Sequence, residues 1–439
     1  MTLPVLTTMA DGTIKQINPF SGTEVWMVPG RGNRPLMSPP RDVRPLGPGE
    51  LTDTCNFCQS RPLATPPEKS RIVKGGTGWD IQRDLLPDQL GASVAEFRRV
   101  PNLFEIVSYD YWSKNYGYEM PSARRRHMER YLGDPAGRAH VLDIVRTRLR
   151  ASGLDASRDD ASLLAHAPAY FAGGHDVIIA RRHFSEGASD TSQLASSGTL
   201  TPEEHYAYIA LTIDAMRDLY DLNRYVPYVA VFQNWLSAAG ASFDHLHKQL
   251  VAIDERGVQS DTEIATLRRN PNMYNEWGVN YAFYNNLVIA ENDHAILIAG
   301  IGHRYPTVSI YSTSATCEPW KLSEEEARGF SDLLHAAHAA TGAGVASNEE
   351  WHHKPIDLDM PMPLRVNLKW RVSTLAGFEG GTKIYVNTLS PHDIRDRMVA
   401  SLYQLREAGA IAPGIRIATE CRPARNVLRY NPWLRASET

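Results

Sequence analysis

One short stretch of the sequence concentrates side chains that could act in catalysis or bind a ligand, and it reads His245-Leu246-His247-Lys248-Gln249. Residues two apart on a β-strand point to the same face, so His245, His247 and Gln249 can all address one site. Placing three polar side chains on one face between apolar runs is costly unless something is bound there. The alternative is a solvated strand face with two surface histidines. Alternation also predicts that Lys248 points away from this site.

A turn of small residues precedes this strand, at positions 238–242 (Ala-Ala-Gly-Ala-Ser). Such a turn can offer free backbone N–H groups to a phosphate. The turn therefore favours a phosphate-handling site over a solvated strand face.

Two of the four cysteines, Cys55 and Cys58, have the Cys-x-x-Cys spacing of a metal knuckle. This pair supplies only two of the four ligands that a tetrahedral metal requires. Cys317 and Cys421 have no partner at such a spacing, which indicates inert buried thiols.

The composition describes an ordinary globular chain and excludes several classes of protein. The 439 residues carry 46 Lys plus Arg against 50 Asp plus Glu, a formal charge of −4, so no global positive field favours nucleic acid. The longest apolar stretches, such as 295–301, are under half of a membrane span, and no signal segment is evident at the N-terminus. We expect a cytoplasmic protein that binds neither nucleic acid nor membrane.

Hydrophobic patterning predicts an α+β protein built from two halves. Strand signals fall at 175–180, 226–232 and 249–254 in the first half, and at 286–290, 294–301 and 366–387 in the second. Main helices are predicted from the Thr201 N-cap to about 223 and from 323 to 340, with a closing helix at 391–408. The polar segment after Asp254 is the best linker candidate, and a helical insert is expected at about 109–170.

Several blocks resemble the galactose-1-phosphate uridylyltransferase branch of the histidine-triad (HIT) superfamily. They are Phe-x-Asn, Ala-Gly-Ala-Ser and His-x-His-x-Gln in 232–249, NPFSGTEVWMVPGRGNRP (18–35), CNFCQSRPLATPPE (55–68), VPNLF (100–104) and AGFEGGTKIYVNTLSP (376–391). The resemblance spans almost the whole chain apart from the insert. It implies a HIT-like α+β fold of two related halves, each with an antiparallel sheet and a main helix: 1–258, catalytic and with the zinc site and insert, and 259–439.

The resemblance also implies a ping-pong reaction through a covalent nucleotidyl-histidine. A neutral imidazole attacks phosphorus well, and the phosphoramidate that it forms is high in energy. His247 matches the nucleophile, and Gln249 matches the glutamine that hydrogen-bonds the phosphoryl oxygens. Glutamine there, where the hydrolase branch has a third histidine, favours transfer to a phosphate over transfer to water.

The metal ligands that the resemblance implies are Cys55, Cys58, His245 and a histidine near the strand at 175–180. His183, which follows that strand, is preferred to His175, which precedes it, although both remain open. A Cys2His2 zinc site would be closed and therefore structural, with one Zn²⁺ per chain. Relatives often hold a second metal, but Pro363 and Arg365 stand where its histidines would be, so we expect none there; Arg365 could place a cation in its stead.

By position, the resemblance assigns nucleotide and phosphate contacts to Arg31, Arg34, Asn102, Asn234 and Ser242. It assigns the acceptor sugar to Phe378 and Glu379, which relatives contribute across a dimer, so a homodimer is expected. The aromatic run 109–118 is expected to pack as a small core of its own, with stacking on a base or sugar as the other possibility.

Three functions are consistent with these residues. The first is transfer of a nucleotidyl group between a nucleotide-sugar and a sugar 1-phosphate. The second keeps the same intermediate but passes it to inorganic phosphate, as a nucleotide-sugar or dinucleoside-polyphosphate phosphorylase. The third is a catalytically degenerate nucleotide-binding protein.

Overall fold

The computed structural model describes residues 5–30, 43–422 and 424–434. The strands are β1 Leu6–Thr8, β2 Ile14–Ile17, β3 Glu24–Met27, β4 Ser70–Lys74, β5 Trp79–Arg83, β6 Ala95–Pro101, β7 His175–Ala180, β8 Tyr228–Trp235, β9 His247–Ile253, β10 Val288–Glu291, β11 Ala295–Ala299, β12 Thr307–Ser312, β13 Ser347–His352, β14 Arg365–Trp370, β15 Ile384–Asn387 and β16 Arg416–Ile417. The helices are α1 Tyr109–Tyr116, α2 Ser122–Gly133, α3 Pro135–Ala151, α4 Asp160–Leu164, α5 Pro168–Ala172, α6 Pro202–Leu222, α7 Val258–Leu267, α8 Asn280–Tyr284, α9 Glu324–Thr341, α10 Gly377–Thr382 and α11 Pro391–Glu407.

Most strands join one large antiparallel sheet in the order β16-β10-β11-β12-β14-β13-β8-β9-β7-β6-β4-β5. A small sheet, β1-β2-β3-β15, contains an antiparallel pairing of β2 with β3 and a parallel pairing of β3 with β15. The α+β class is confirmed. The strands of the two predicted halves do not form separate sheets, because β8 pairs with β13 and places Asn234 opposite Asn348. That the halves are related by duplication stays a prediction.

The predicted linker after Asp254 is wrong, because helix α7 occupies it. The segment reads as polar and aperiodic, but Glu263, Ile264 and Leu267 all bury their side chains there. Glu263 forms an ion pair with Arg365 of β14 (Oε1 to Nη2, 2.7 Å). A hydrophobicity pattern does not detect this helix, because its buried face includes a charged residue that is paired only in the folded chain.

Helices α6 and α9 cover one face of the large sheet. Each begins with a capping box, from Thr201 and from Ser323, as the sequence predicts for Thr201. The helices meet where His205 Nδ1 lies 2.8 Å from Ser331 Oγ. The opposite face of the sheet carries His247 and Gln249.

Lys248 shows which side of β9 faces the helices. Its side chain is fully buried, with Nζ 2.7 Å from Glu349 Oε1 and 4.4 Å from the ring centre of Tyr208 on α6. Although burial alone would raise the pKa of Glu349, the Lys248 ammonium and His338 hold it below its ordinary value. The prediction that Lys248 points away from the site is confirmed.

Replacing Lys248 by methionine is expected to lower the free energy of unfolding by about 3–5 kcal/mol, because it leaves the Glu349 carboxylate buried without its cation. Denaturant unfolding followed by circular dichroism measures this loss. The double variant Lys248→Met/Glu349→Gln is the control, and it should regain part of the loss since no buried charge remains unpaired. A loss below about 1 kcal/mol for the single variant would contradict the prediction.

The insert is helical, as predicted, and comprises α1 to α5. Its aromatic run packs on itself: Trp112 is buried, and its ring centre lies 5.6 Å from that of Tyr111 and 5.3 Å from that of Tyr116. The hydroxyls of Tyr111 and Tyr116 both donate to Asp254, just after β9. The run is not a core of its own, however, because Trp112 and Tyr118 belong to the main hydrophobic core of the chain.

Candidate active site and metal centre

The four predicted metal ligands, Cys55, Cys58, His183 and His245, converge at one point. Cys55 Sγ lies 3.5 Å from Nδ1 of both His183 and His245, and 3.9 Å from Cys58 Sγ. All four ligand atoms lie within 4.8 Å of one another. Two thiols and two imidazoles at these spacings fit a tetrahedral ion such as zinc.

The neighbours of these ligands prepare them for a metal. The Nε2 atom of His245 lies 2.7 Å from the carbonyl oxygen of Ala180 and donates to it, which leaves Nδ1 as a lone-pair ligand. Hydrogen bonding from Cys55, together with His183 and His245, lowers the pKa of the Cys58 thiol and favours the thiolate. His175 lies outside this cluster, so the geometry favours His183 as the fourth ligand.

His247 is held in one tautomer by its own strand. Its Nδ1 lies 2.7 Å from the carbonyl oxygen of His245, and since a carbonyl can only accept, Nδ1 carries the proton and Nε2 a lone pair. Burial lowers the pKa of His247, which favours the neutral ring. The ring of Phe57, from the loop between the two cysteines, packs edge-on against it at 5.5 Å. The metal loop and the nucleophile candidate are therefore in direct contact.

A cavity of about 600 Å³ opens in front of His247. Its lining is mostly apolar, with a few polar groups, as in many small-molecule sites. Of the predicted contacts, Asn102, Ser242 and Gln249 line it together with His247. The further lining includes Phe57, Val100, Leu103, Phe104, Val177 and, from helix α3 of the insert, Thr147 and Ala151. The insert thus supplies one wall of the cavity, whereas none of the aromatic run 109–118 lines it.

Asn234 lies next to this cavity, at the end of β8. Its Oδ1 accepts a hydrogen bond of 2.7 Å from Nδ2 of Asn348, whose Oδ1 accepts one of 2.8 Å from Arg371. The Nδ2 of Asn234 faces Gly240, since a Cβ built there would lie 3.9 Å from it. Asn234 therefore presents its N–H groups to the small-residue turn, and it lines a second cavity of about 470 Å³ together with Asn348 and Arg371.

The turn at 238–242 is tighter than expected. Leu236 starts it with a φ of 68°, a conformation that a non-glycine residue rarely adopts and that costs about 1–3 kcal/mol. The N–H groups of Ala239, Gly240 and Ala241 donate to carbonyls inside the turn. The prediction that the turn offers free N–H groups is wrong for these three, and Ser242 is the turn residue that lines the cavity with His247.

Sequence reasoning missed the roles of three residues in and beside this site, which are His175, Phe57 and Asn348. The ring of His175, on the strand next to β9, lies 3.0 Å from Gln249 Oε1. Phe57 could have been found, because it stands inside the Cys-x-x-Cys loop. His175 and Asn348 depend on strand register, which leaves no local signal in the sequence.

Three predicted contacts among the described residues, Asn234, Phe378 and Glu379, do not line the cavity in front of His247. Arg31 and Arg34 lie outside the described residues. Phe378 and Glu379 lie on α10 at the small sheet, where the Phe378 ring centre is 6.4 Å from that of Trp26 and Glu379 accepts from the N–H of Ala376. Neither lines the cavity in front of His247, so within one chain their predicted role in binding an acceptor has no support.

The region in which relatives often hold a second metal contains an ion pair here. The guanidinium of Arg365 is buried against Glu263 and lies over the ring of Phe20 at 5.1 Å. His352 contacts the Asn367 amide, and His353 contacts the Tyr220 hydroxyl at 3.1 Å. The cation that Arg365 is predicted to supply is therefore present, and its Nη2 pairs with the Glu263 carboxylate.

Comparison with solved structures agrees with this arrangement. An ADP-glucose phosphorylase from Arabidopsis thaliana, with ADP-glucose bound, matches at 16% identity and a TM-score of 0.58, covering 88% of this chain and 97% of that chain. A galactose-1-phosphate uridylyltransferase-like protein from Arabidopsis thaliana matches at 16% identity and a TM-score of 0.55, covering 88% and 98%. A uridylyltransferase matches at 17% identity with a TM-score of 0.43, covering 54% of this chain and 77% of that chain. None of the curated proteins matches the sequence.

The chain shares its fold with this ADP-glucose phosphorylase and this galactose-1-phosphate uridylyltransferase-like protein, which agrees with the fold that the sequence motifs predict. The chain itself belongs to the family described as domain of unknown function DUF4921, whose profile matches residues 9–430. Among the described residues, no helix is long and apolar enough to cross a membrane.

Proposed function

We propose that the protein is a nucleotidylyltransferase that moves a nucleoside monophosphate group between a nucleotide-sugar and a sugar 1-phosphate through a covalent nucleotidyl-His247 intermediate. The observation that carries the proposal is the His247 ring: its proton is fixed on Nδ1 by the His245 carbonyl, its pKa is lowered by burial, and it lines a cavity of nucleotide size. The uridylyltransferase-like fold and the motifs around His247 support it.

The reaction follows from these side chains. The lone pair on His247 Nε2 attacks the α-phosphorus of the donor, the P–N bond forms, and the P–O bond to the sugar 1-phosphate breaks. The carboxamide of Gln249 donates to a phosphoryl oxygen as charge grows on it. The phosphate oxygen of the second substrate then attacks the same phosphorus and releases neutral His247. The reaction needs little proton transfer, because the leaving group and the entering group are both phosphates.

The metal in this proposal is a single structural Zn²⁺ per chain, held by Cys55, Cys58, His183 and His245. When bound, it would fix the cysteine loop against β9 and keep His245 in place.

We also propose that the enzyme acts as a cytoplasmic homodimer, with Arg31, Arg34, Phe378 and Glu379 among its substrate contacts, as the sequence resemblance implies. The division into related halves at 258/259 belongs to the same proposal.

A second candidate is a phosphorylase, which passes the nucleotidyl group to inorganic phosphate. The observation that favours it is the likeness of the fold to that of an ADP-glucose phosphorylase.

Intact-mass measurement tests the proposal. The purified protein is incubated separately with ADP-glucose, UDP-glucose, GDP-mannose and diadenosine tetraphosphate, and a mass gain of one nucleotide is expected with at least one of them. Peptide mapping should place the added mass on His247. Glucose 1-phosphate and inorganic phosphate are then added to the isolated adduct: discharge by the sugar phosphate supports the transferase, and discharge by inorganic phosphate alone supports the phosphorylase. No adduct with any donor would contradict both and leave a nucleotide-binding protein.

A further inference from the structure

The carboxamide of Gln249 is oriented by a histidine on the neighbouring strand. His175, at the start of β7, is completely buried. Its Nδ1 lies 3.1 Å from the backbone nitrogen of Ile106, and its Nε2 lies 3.0 Å from Oε1 of Gln249. These two contacts pass through one ring and end at the active-site amide.

The tautomer of His175 follows from these contacts. A backbone N–H can only donate, so Nδ1 accepts the hydrogen bond from Ile106. In the neutral ring the proton is then on Nε2, and burial lowers the pKa of His175, which favours the neutral form. The Nε2–H group therefore donates to Gln249.

The orientation of Gln249 follows in turn. Two side-chain atoms lie 3.0 Å from Nε2 of His175, Oε1 of Gln249 and Nδ2 of Asn102, and of these the oxygen is the one that can accept the Nε2 proton. The same Oε1 also accepts from Nδ2 of Asn102 at 3.3 Å. The Oδ1 of Asn102 accepts from the backbone N–H of Phe104 at 2.9 Å, which fixes that amide as well. If the Gln249 amide were reversed, its NH2 group would face two donors and lose both hydrogen bonds. The NH2 group must therefore point away from His175, on a side chain that lines the cavity with His247.

We propose that His175 is a positioning residue, which turns the carboxamide of Gln249 so that its NH2 group faces the phosphoryl group transferred at His247. His175 is completely buried in the wall of this cavity, and its role in the proposal is to fix which end of Gln249 faces the substrate. A donor that is already oriented stabilises the charge that develops on the transferred phosphoryl group without having to rearrange during the reaction. The inference rests on the proposed function for its catalytic role and on the contacts of His175 alone for its geometry.

Rates of adduct formation in single turnover test the catalytic part. His175→Phe removes the donor, and adduct formation is expected to fall about 10- to 100-fold, less than the loss of a full oxyanion donor. His175→Gln places an amide N–H near the position of Nε2 and should restore most of the rate. In a Gln249→Ala background, His175→Phe should change the rate less than about twofold, because there is no amide left to orient. An equal loss in both backgrounds would overturn the proposal.

Two further measurements separate the proposal from general damage and from the proposed function. His353→Leu removes another buried histidine, remote from the cavity, and should leave the rate unchanged at a similar loss of thermal stability. Calorimetric binding of AMP and UMP, compared with adenosine and uridine, should show that His175→Phe weakens only the nucleotides. If the wild type forms no adduct but His175→Phe weakens only the nucleotides, the positioning role of His175 stands and the proposed nucleotidyl transfer fails. If adducts form and His175→Phe weakens nucleosides and nucleotides equally, the positioning role fails and the proposed transfer stands.

Discussion

Replacing His247 by asparagine is expected to reduce nucleotidyl transfer by at least about 10⁴-fold, because the variant has no ring nitrogen to attack phosphorus. Asparagine can keep a hydrogen bond to the His245 carbonyl through its side-chain amide, so the strand and the metal ligands are disturbed little. The measurement is the rate of exchange between a nucleotide-sugar and labelled sugar 1-phosphate or phosphate, together with the intact mass of the protein after incubation with donor. No nucleotide should be found on the variant.

The result can be distinguished from a loss of folding. Zinc content and thermal midpoint of His247→Asn should equal those of the wild type, and the donor should still bind, since the cavity keeps its apolar lining. His353→Asn is the matched control, because it changes a buried histidine that contacts Tyr220 and does not line the cavity in front of His247. Transfer that persists in His247→Asn within about tenfold of the wild type would exclude His247 as the nucleophile.

The sequence predicts the parts of this site that depend on local spacing. Strand alternation alone places His247 and Gln249 on one face and Lys248 on the other, and the structure bears this out. The Cys-x-x-Cys pair has the spacing of a metal knuckle but supplies only two ligands, and its partners, His183 and His245, come from the family resemblance. The choice between His175 and His183 could not be made from spacing, because it depends on how far the chain travels after β7 before it turns back to the cysteine loop.

What the sequence could not predict depends on pairing across the sheet. The contact of His175 with Gln249 requires the register of β7 on β9, and the contact of Asn348 with Asn234 requires that β13 pair with β8. Neither register follows from the sequence of one strand. The same limit explains the joined sheet and helix α7, whose Glu263 reads as a linker charge until Arg365 is placed beside it.

Substituting a cysteine of the metal cluster has the second large expected effect. Cys58 is buried, and its sulfur accepts N–H groups from Thr54 and Cys55 in addition to facing both histidines. Cys58→Ser is therefore expected to lose the metal and to lower the free energy of unfolding by several kcal/mol, since metal binding in such sites contributes directly to folding. Elemental analysis should give about one zinc per chain for the wild type and close to none for the variant.

The loss should extend to His247, although no metal ligand touches a substrate. The cysteine loop holds Phe57 against the His247 ring, and His245 supplies the carbonyl that fixes the tautomer of that ring. We therefore expect adduct formation to fall in Cys58→Ser, and to return in chelator-treated wild type after zinc is added back. Cys317→Ser is the matched control, because Cys317 is a buried thiol outside the cluster and should keep full zinc content. Unchanged zinc in both Cys55→Ser and Cys58→Ser would rule out this ligand set.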